Sequence, residues 1–179
     1  MLNSLTIAVL VLGLIGVGDV QATGKYHSHN SESKKYHESS KFLIAYDSYQ
    51  SELLDLINDA RENRALSALK FSNSLSQAAQ NHVEDLANNN YVVGHTGTGG
   101  STVVDRTQKV EYGSDFVGEN VAAGNKTPEE VFHQWMNSPG HKDNILKPDY
   151  TEVGVGYVLN APDTTYNHYW ALVFGNPNF

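Results

Sequence analysis

Apolar residues recur at helical spacing in two early stretches of the chain. Leu53, Leu56, Ile57 and Ala60 fall at i, i+3, i+4 and i+7, on one face of a helix predicted to end near Arg64. Leu75, Ala78, Ala79, His82, Val83 and Leu86 keep the same spacing in a second helix. Ser74 and Gln77 offer that helix a capping box, and Asn88-Asn89-Asn90 a stop. Residues 91–118 hold no sustained period and are rich in Gly, Thr and Ser, which predicts a long loop region with short irregular elements. Thr127-Pro128-Glu129-Glu130 is a helix start, with Thr127 as N-cap, Pro128 in the first position and Glu130 placed to close a capping box. The helix it opens turns Val131, Phe132 and Trp135 inward. The pattern then changes to period two. Val153, Val155 and Tyr157 alternate with Gly154 and Gly156, and Tyr169 to Phe174 forms a second apolar run beyond the turn residues Asn160-Ala161-Pro162-Asp163. Glycines opposite large apolar groups imply a sheet face lying tight against another layer. Helices first and an antiparallel sheet late predict an α+β sandwich.

The remaining patterned segment is at the N-terminus. Leu5 to Gly18 is continuously apolar and is followed by Val20-Gln21-Ala22, a small-x-small pattern, so residues 1–22 read as a secretory signal peptide, with a retained membrane anchor as the alternative. Between it and the folded domain, residues 23–46 read as a Ser/His/Lys-rich linker with two copies of Lys-Tyr-His. Its histidines, His27, His29 and His37, suit loose capture of a transition metal. The domain is expected over 47–179. The net charge of -8 is carried without a basic stretch, which argues against nucleic acid and anionic lipid head groups as partners. The chain has no cysteine, so packing alone must hold the fold and thiol chemistry is excluded.

Three polar groups stand beside glycines where close backbone approach fixes their direction: His95 in Gly94-His-Thr-Gly97, Glu119 in Gly118-Glu-Asn120, and His141 in Ser138-Pro-Gly-His141. Ser138 can cap a short helix with Pro139 in its first position, which puts His141 and Asn144 on one face and leaves a neutral imidazole near a positive helix end. Two imidazoles and a carboxylate suit either a divalent metal or acid-base work, or they tie loops together around a core. His82, alone on an apolar helical face, reads as a satisfied wall residue, and Trp135 and Trp170 as core anchors. No nucleophile elbow, phosphate loop or His-Glu-x-x-His helix occurs, and neither Ser101 nor Ser138 has the setting of a nucleophile. Asn125-Lys126-Thr127 is an N-glycosylation sequon, placing a candidate modification on Asn125.

Taken in order, Gly94-His95-Thr96, Gly118-Glu-Asn-Val-Ala122, Pro128-Glu-Glu-Val131 with Trp135, Asn137-Ser-Pro-Gly-His-Lys-Asp-Asn-Ile-Leu146 and Tyr150-Thr-Glu-Val-Gly-Val-Gly-Tyr157 resemble the CAP superfamily (SCP/TAPS, pathogenesis-related-1-like), in its microbial Ser-Pro-Gly-His branch. The resemblance implies a three-layer α-β-α sandwich with a central, mainly antiparallel sheet. It also implies secretion and a cleft, here His95, Glu119, His141 and Asn144, in which His95, Glu119 and His141 hold a divalent metal such as Zn or Mg. The chain departs from the plant and animal pattern at Ser138 and Asp149, where that branch carries a second glutamate and a second histidine. The function implied is a secreted, monomeric, non-enzymatic module that binds a small apolar ligand, a sterol or fatty acid, or a surface protein partner. A metal-dependent hydrolase or protease in the same cleft is the alternative from a different class, and an adhesion or defence scaffold a third.

Overall fold

A two-residue edge strand opens directly into a helix of 16 residues, and this sets the frame of the described domain. The computed structural model describes residues 48–89, 93–159 and 165–179, all within one compact unit, Glu38–Phe179. The signal-peptide and linker readings, Asp47 at the domain boundary and the Asn160–Asp163 turn lie outside the described residues. Helix α1 occupies 48–62. It is followed by β1 (Lys70–Phe71), α2 (Asn73–Asn88), α3 (Val103–Lys109), β2 (Val117–Ala123), α4 (Pro128–Met136), α5 (Pro139–Ile145), β3 (Glu152–Leu159) and β4 (His168–Gly175).

Among the described residues the strands form one sheet in the order β1-β3-β4-β2, with β1 parallel to β3 and the other pairs antiparallel. Alternation along β4 divides the core in two. Trp170, Leu172 and Phe174 meet Leu53 and Ile57 of α1, Val131 and Trp135 of α4 and Ile145 of α5. Tyr169, Ala171 and Val173 meet Leu75, Ala79, Val83 and Leu86 of α2. Helices therefore cover both faces, which is the expected α-β-α sandwich. Gly154 shows why β3 needs glycine: a Cβ there would strike the backbone of Leu75 and Ser76, so α2 can lie directly on the strand only in its absence.

Helix α2 starts two residues earlier than the Ser74/Gln77 box implies. Ser72 is its N-cap, without a side-chain cap bond; its backbone amide donates to Val153 O across the sheet at 2.9 Å, and the chain turns straight into the helix. Gln77 instead reaches forward to Asn81 at 2.8 Å. The asparagine stop holds: Asn89 is the C-cap and its amide returns to Asp85 O at 2.8 Å. Helix α1 ends at 62, slightly before Arg64, in a turn that takes Ala65 to a φ of 56°. Thr127 caps α4 as expected, but the Glu130 carboxylate accepts from the Lys126 amide at 2.7 Å rather than from Thr127. Ser138 is the N-cap of α5 with Pro139 first, again with no side-chain cap bond.

Within the stretch expected to be a long loop, the described residues 93–118 hold more regular structure than expected. They contain α3, closed at its start by a full capping box between Thr102 and Asp105, and they run into β2 before Gly118. Arg61 supplies a tie that hydrophobic patterning cannot display. Fully buried, it donates to Ser67 O (2.8 Å), Ile145 O (2.8 Å), Lys147 O (2.9 Å) and Tyr150 O (3.3 Å), satisfying the carbonyls at the end of α5 with a cation.

Candidate functional site

Strand β2 lies at the edge of the sheet, and two consecutive residues on it point to opposite faces. Glu119 shares the face of Val117 and Val121, toward α2 and α3, whereas Asn120 shares that of Ala122, toward α4 and α5. The cleft wraps this edge.

On the α2 side, Glu119 is almost completely shielded, with 2% of its side chain exposed, yet both oxygens are bonded. Oε2 accepts from Arg106 Nη2 at 2.6 Å and Oε1 from His95 Nδ1 at 3.0 Å. A carboxylate only accepts, so Nδ1 of His95 carries the proton, and the remaining nitrogen, Nε2, has no hydrogen-bond partner among the described residues. The His95 side chain is 62% exposed. Its loop is fixed from behind: His82 Nε2 lies 2.8 Å from Gly94 O, and Arg106 Nη2 donates to His95 O at 3.1 Å. Arg106 is itself anchored on Ser101 O at 2.8 Å. The bond to Glu119 raises the His95 pKa above the ordinary histidine value, against the opposing effect of partial burial.

On the other side, Asn144 donates to Glu119 O (3.1 Å) and to Asn120 Oδ1 (2.9 Å), while Asn120 donates to His141 O (3.0 Å). This amide ladder rivets α5 to β2 and sets the depth of His141. Burial lowers the His141 pKa, and the nearby charge of His95 lowers it further. Its Nδ1 is buried without a protein partner, and it bonds to neither Glu119 nor His95.

The structure thus brings His95 and Glu119 into direct contact, with Asn144 holding the strand that carries Glu119 and His141 coupled only through charge. It adds three participants. Arg106 was hidden in the presumed loop, although Thr102-x-x-Asp105 was a readable helix start that would have placed it one turn on. Asn120 closes the Gly118-Glu119-Asn120 stretch itself. His82 is indeed fully buried, but its Nε2 comes within 3.9 Å of Glu119 Oε1, so this wall residue is the wall of the cleft. Asn125 lies just before the α4 cap; its carbonyl accepts from Trp170 Nε1 at 2.8 Å and its Oδ1 is shielded.

A divalent metal fits this donor set poorly. Glu119 would have to exchange a buried guanidinium and an imidazole N–H for the ion, leaving Arg106 unpaired at 5% exposure. Among the described residues no group of three or more His, Asp or Glu side chains is disposed to hold a metal. The positions that would complete such a set in the plant and animal pattern are Ser138 and Asp149. The geometry therefore lends no support to the ligand role expected of His95, Glu119 and His141. The arrangement can present one oriented imidazole and a second, partly buried one at the mouth of a polar cleft.

Comparison with known proteins agrees with this frame. Residues 54–174 match the model of the CAP, or cysteine-rich secretory protein, family. The uncharacterized protein YkwD of Bacillus subtilis is 39% identical over 110 residues, which is 62% of this chain and 42% of that protein. The uncharacterized membrane protein YlbC of the same organism is 31% identical over 60% of this chain and 31% of its own length, so the match spans less than half of either relative. An extracellular SCP-domain protein from Bacillus anthracis superposes with a TM-score of 0.64 at 27% identity, over 73% of this chain and 41% of that one. An outer surface protein of Borrelia burgdorferi shares the fold with the same TM-score of 0.64 at 23% identity, over 70% and 90% of the two chains. With its motifs, its sandwich and most of its folded length accounted for by one family model, the chain belongs to the CAP family, as a member without cysteine.

Proposed function

We propose that this CAP domain acts outside the producing cell as a non-enzymatic binding module, and that the cleft around His95 engages a protein partner at the cell surface. The observation that supports this reading is the pairing of an exposed imidazole with a buried carboxylate and guanidinium. A buried ion pair adds little net stability against an apolar replacement, because its desolvation offsets its attraction. What the Glu119–Arg106 pair does supply is direction: it fixes the tautomer and orientation of His95 from beneath. Secretion draws support from the signal-like N-terminal pattern and from the relative described as extracellular.

The test is retention of the fluorescently labelled full chain on producing cells that lack their own copy. His95→Ala should reduce apparent affinity about tenfold, the loss expected of a central anchor, with the circular dichroism spectrum unchanged. Equal retention of His95→Ala and wild type would sink the reading.

A second reading, binding of a sterol or fatty acid, is favoured by a separate feature. A hollow of about 310 Å³ is lined, among the described residues, by Gln50, Ser51, Leu54 and Phe71, and Phe71 is 41% exposed. Its size is at the lower end for small-ligand sites. Saturable uptake of a labelled sterol or fatty acid that Leu54→Asp abolishes is the expected result, and uptake unaffected by that change removes this reading.

A further inference from the structure

The guanidinium of Arg106 has a second outlook. Behind the cleft, a cavity of about 290 Å³ is lined, among the described residues, by Asn81 and Asp85 of α2, Gly99 and Ser101 of the 97–101 loop, and Arg106 and Lys109 of α3. The loop is built against Asp85: the Thr98 amide and hydroxyl both donate to its carboxylate, at 2.7 and 2.5 Å, and the Asn89 side-chain amide donates to it at 3.0 Å. Gly97 makes that approach possible, since a Cβ there would meet Ser101 Oγ at 2.5 Å and Asp85 Oδ2 at 2.9 Å.

The charges that line the cavity point to a ligand. The cavity carries both signs of charge, yet neither Asp85 nor Lys109 has an ion-pair partner within 4.0 Å among the described residues, where the only such pairs converge on Glu119. Arg106 borders the cavity as a second cation, 5% exposed, with its Nε–H shielded from solvent and without a protein acceptor. A simple anion would meet the repulsion of Asp85, and a simple cation that of Arg106 and Lys109. A molecule carrying both charges is attracted by both walls.

We propose that this cavity is a binding site for a small zwitterion with a primary ammonium and an anionic group on neighbouring carbons, the ammonium directed to Asp85 and the anion to Lys109 and the Arg106 side. The same chemistry occurs in a free amino acid and in a phosphoethanolamine head group. Because Arg106 also holds Glu119 at 2.6 Å, occupancy of the cavity is transmitted to the orientation of His95. The site does not depend on the surface-partner reading, since its ligand is measured directly.

The experiment is an amide NMR titration of the full ¹⁵N-labelled chain with L-alanine, O-phosphoethanolamine, acetate and ethylamine. Saturable shifts at Gly99, Ser101 and Lys109 with at least one zwitterion are expected, with dissociation constants on the order of millimolar for so small a ligand. Acetate and ethylamine should bind at least about tenfold more weakly. L-alanine alone identifies an amino-acid site and phosphoethanolamine alone a head-group site. Lys109→Met, an exposed position, should weaken the effective zwitterion about fivefold without altering the fold. The proposal is overturned if neither zwitterion saturates, if acetate or ethylamine binds as well, or if Lys109→Met leaves the affinity unchanged.

Discussion

The side chain of Glu119 decides the electrostatics of the cleft. It accepts from Arg106 and His95 at once and stands close to His82, so one carboxylate sets three neighbours. His95 has its pKa raised by that contact and His141 has its own lowered by burial and by the charge of His95. Histidine-resolved NMR titration should therefore find His95 above and His141 below the ordinary value near 6.5. Glu119→Gln should bring His95 down toward it, and an unchanged His95 midpoint in that variant would count against the assigned pairing. The same substitution leaves Arg106 buried and unpaired, so it should also cost about 3 kcal/mol or more in urea unfolding. His82 works in the opposite direction. Burial depresses its pKa despite the nearby Glu119 carboxylate, so between the folded and unfolded values the unfolded chain binds more protons. Its contribution is present above the unfolded value near 6.5 and is lost as pH falls through that value toward the folded one. His82→Gln, which keeps a donor for Gly94 O, should make stability fall less steeply between about pH 7 and pH 5. A wild-type slope retained in that variant would assign the acid sensitivity elsewhere.

Short elements, more than long ones, position these groups, and this explains what was legible in the sequence. Helices α2 and α4 bury apolar stripes against the sheet and β3 alternates large residues with glycine, so periodicity revealed α2 and β3, while the Thr127-Pro128 start signal revealed α4 and an apolar run β4. Helix α3 buries Arg106 and Thr107, and its seven residues make too little of an apolar stripe to register as a period. Strand β2 was missed for a related reason: its middle residues, Glu119 and Asn120, are polar but fully paired, and polarity reads as loop until the partners are known. The sequence motifs therefore named His95, Glu119, His141 and Asn144, whereas the tertiary pairing brought in Arg106, Asn120 and His82. Asp105 tests the weight carried by α3. Its carboxylate closes the box by accepting from the Thr102 amide at 2.8 Å, one turn from Arg106. Asp105→Ala should destabilise the domain by about 1 kcal/mol, as loss of a cap does. It should also increase hydrogen exchange in the 97–109 segment selectively. Uniform exchange across the domain after this change would show that the cap does not hold Arg106 in place.

At the scale of the molecule, the sandwich places α2 and α3 on one side of an edge strand and α5 on the other, so the cleft inherits a guanidinium from α3 as a fixed internal cation. This has a measurable consequence for the metal expected from family resemblance. A ligand that binds only the folded state stabilises it by about 2.7 kcal/mol at a hundredfold excess over its dissociation constant. For a domain of this size that corresponds to a rise in Tm on the order of 8 °C. Metal held equally by folded and unfolded chains, as on a histidine-rich tract, contributes nothing to this difference. If Arg106 takes the place of a metal ion beside Glu119, Zn²⁺ at about 1 mM and neutral pH should leave the Tm of the full chain within about 1 °C of its value in chelator, since even a 10 μM site would give the full shift. A rise of several degrees that disappears in His95→Ala would mean that the ion displaces Arg106 from Glu119, and the metal-dependent reading of the cleft would then regain its basis.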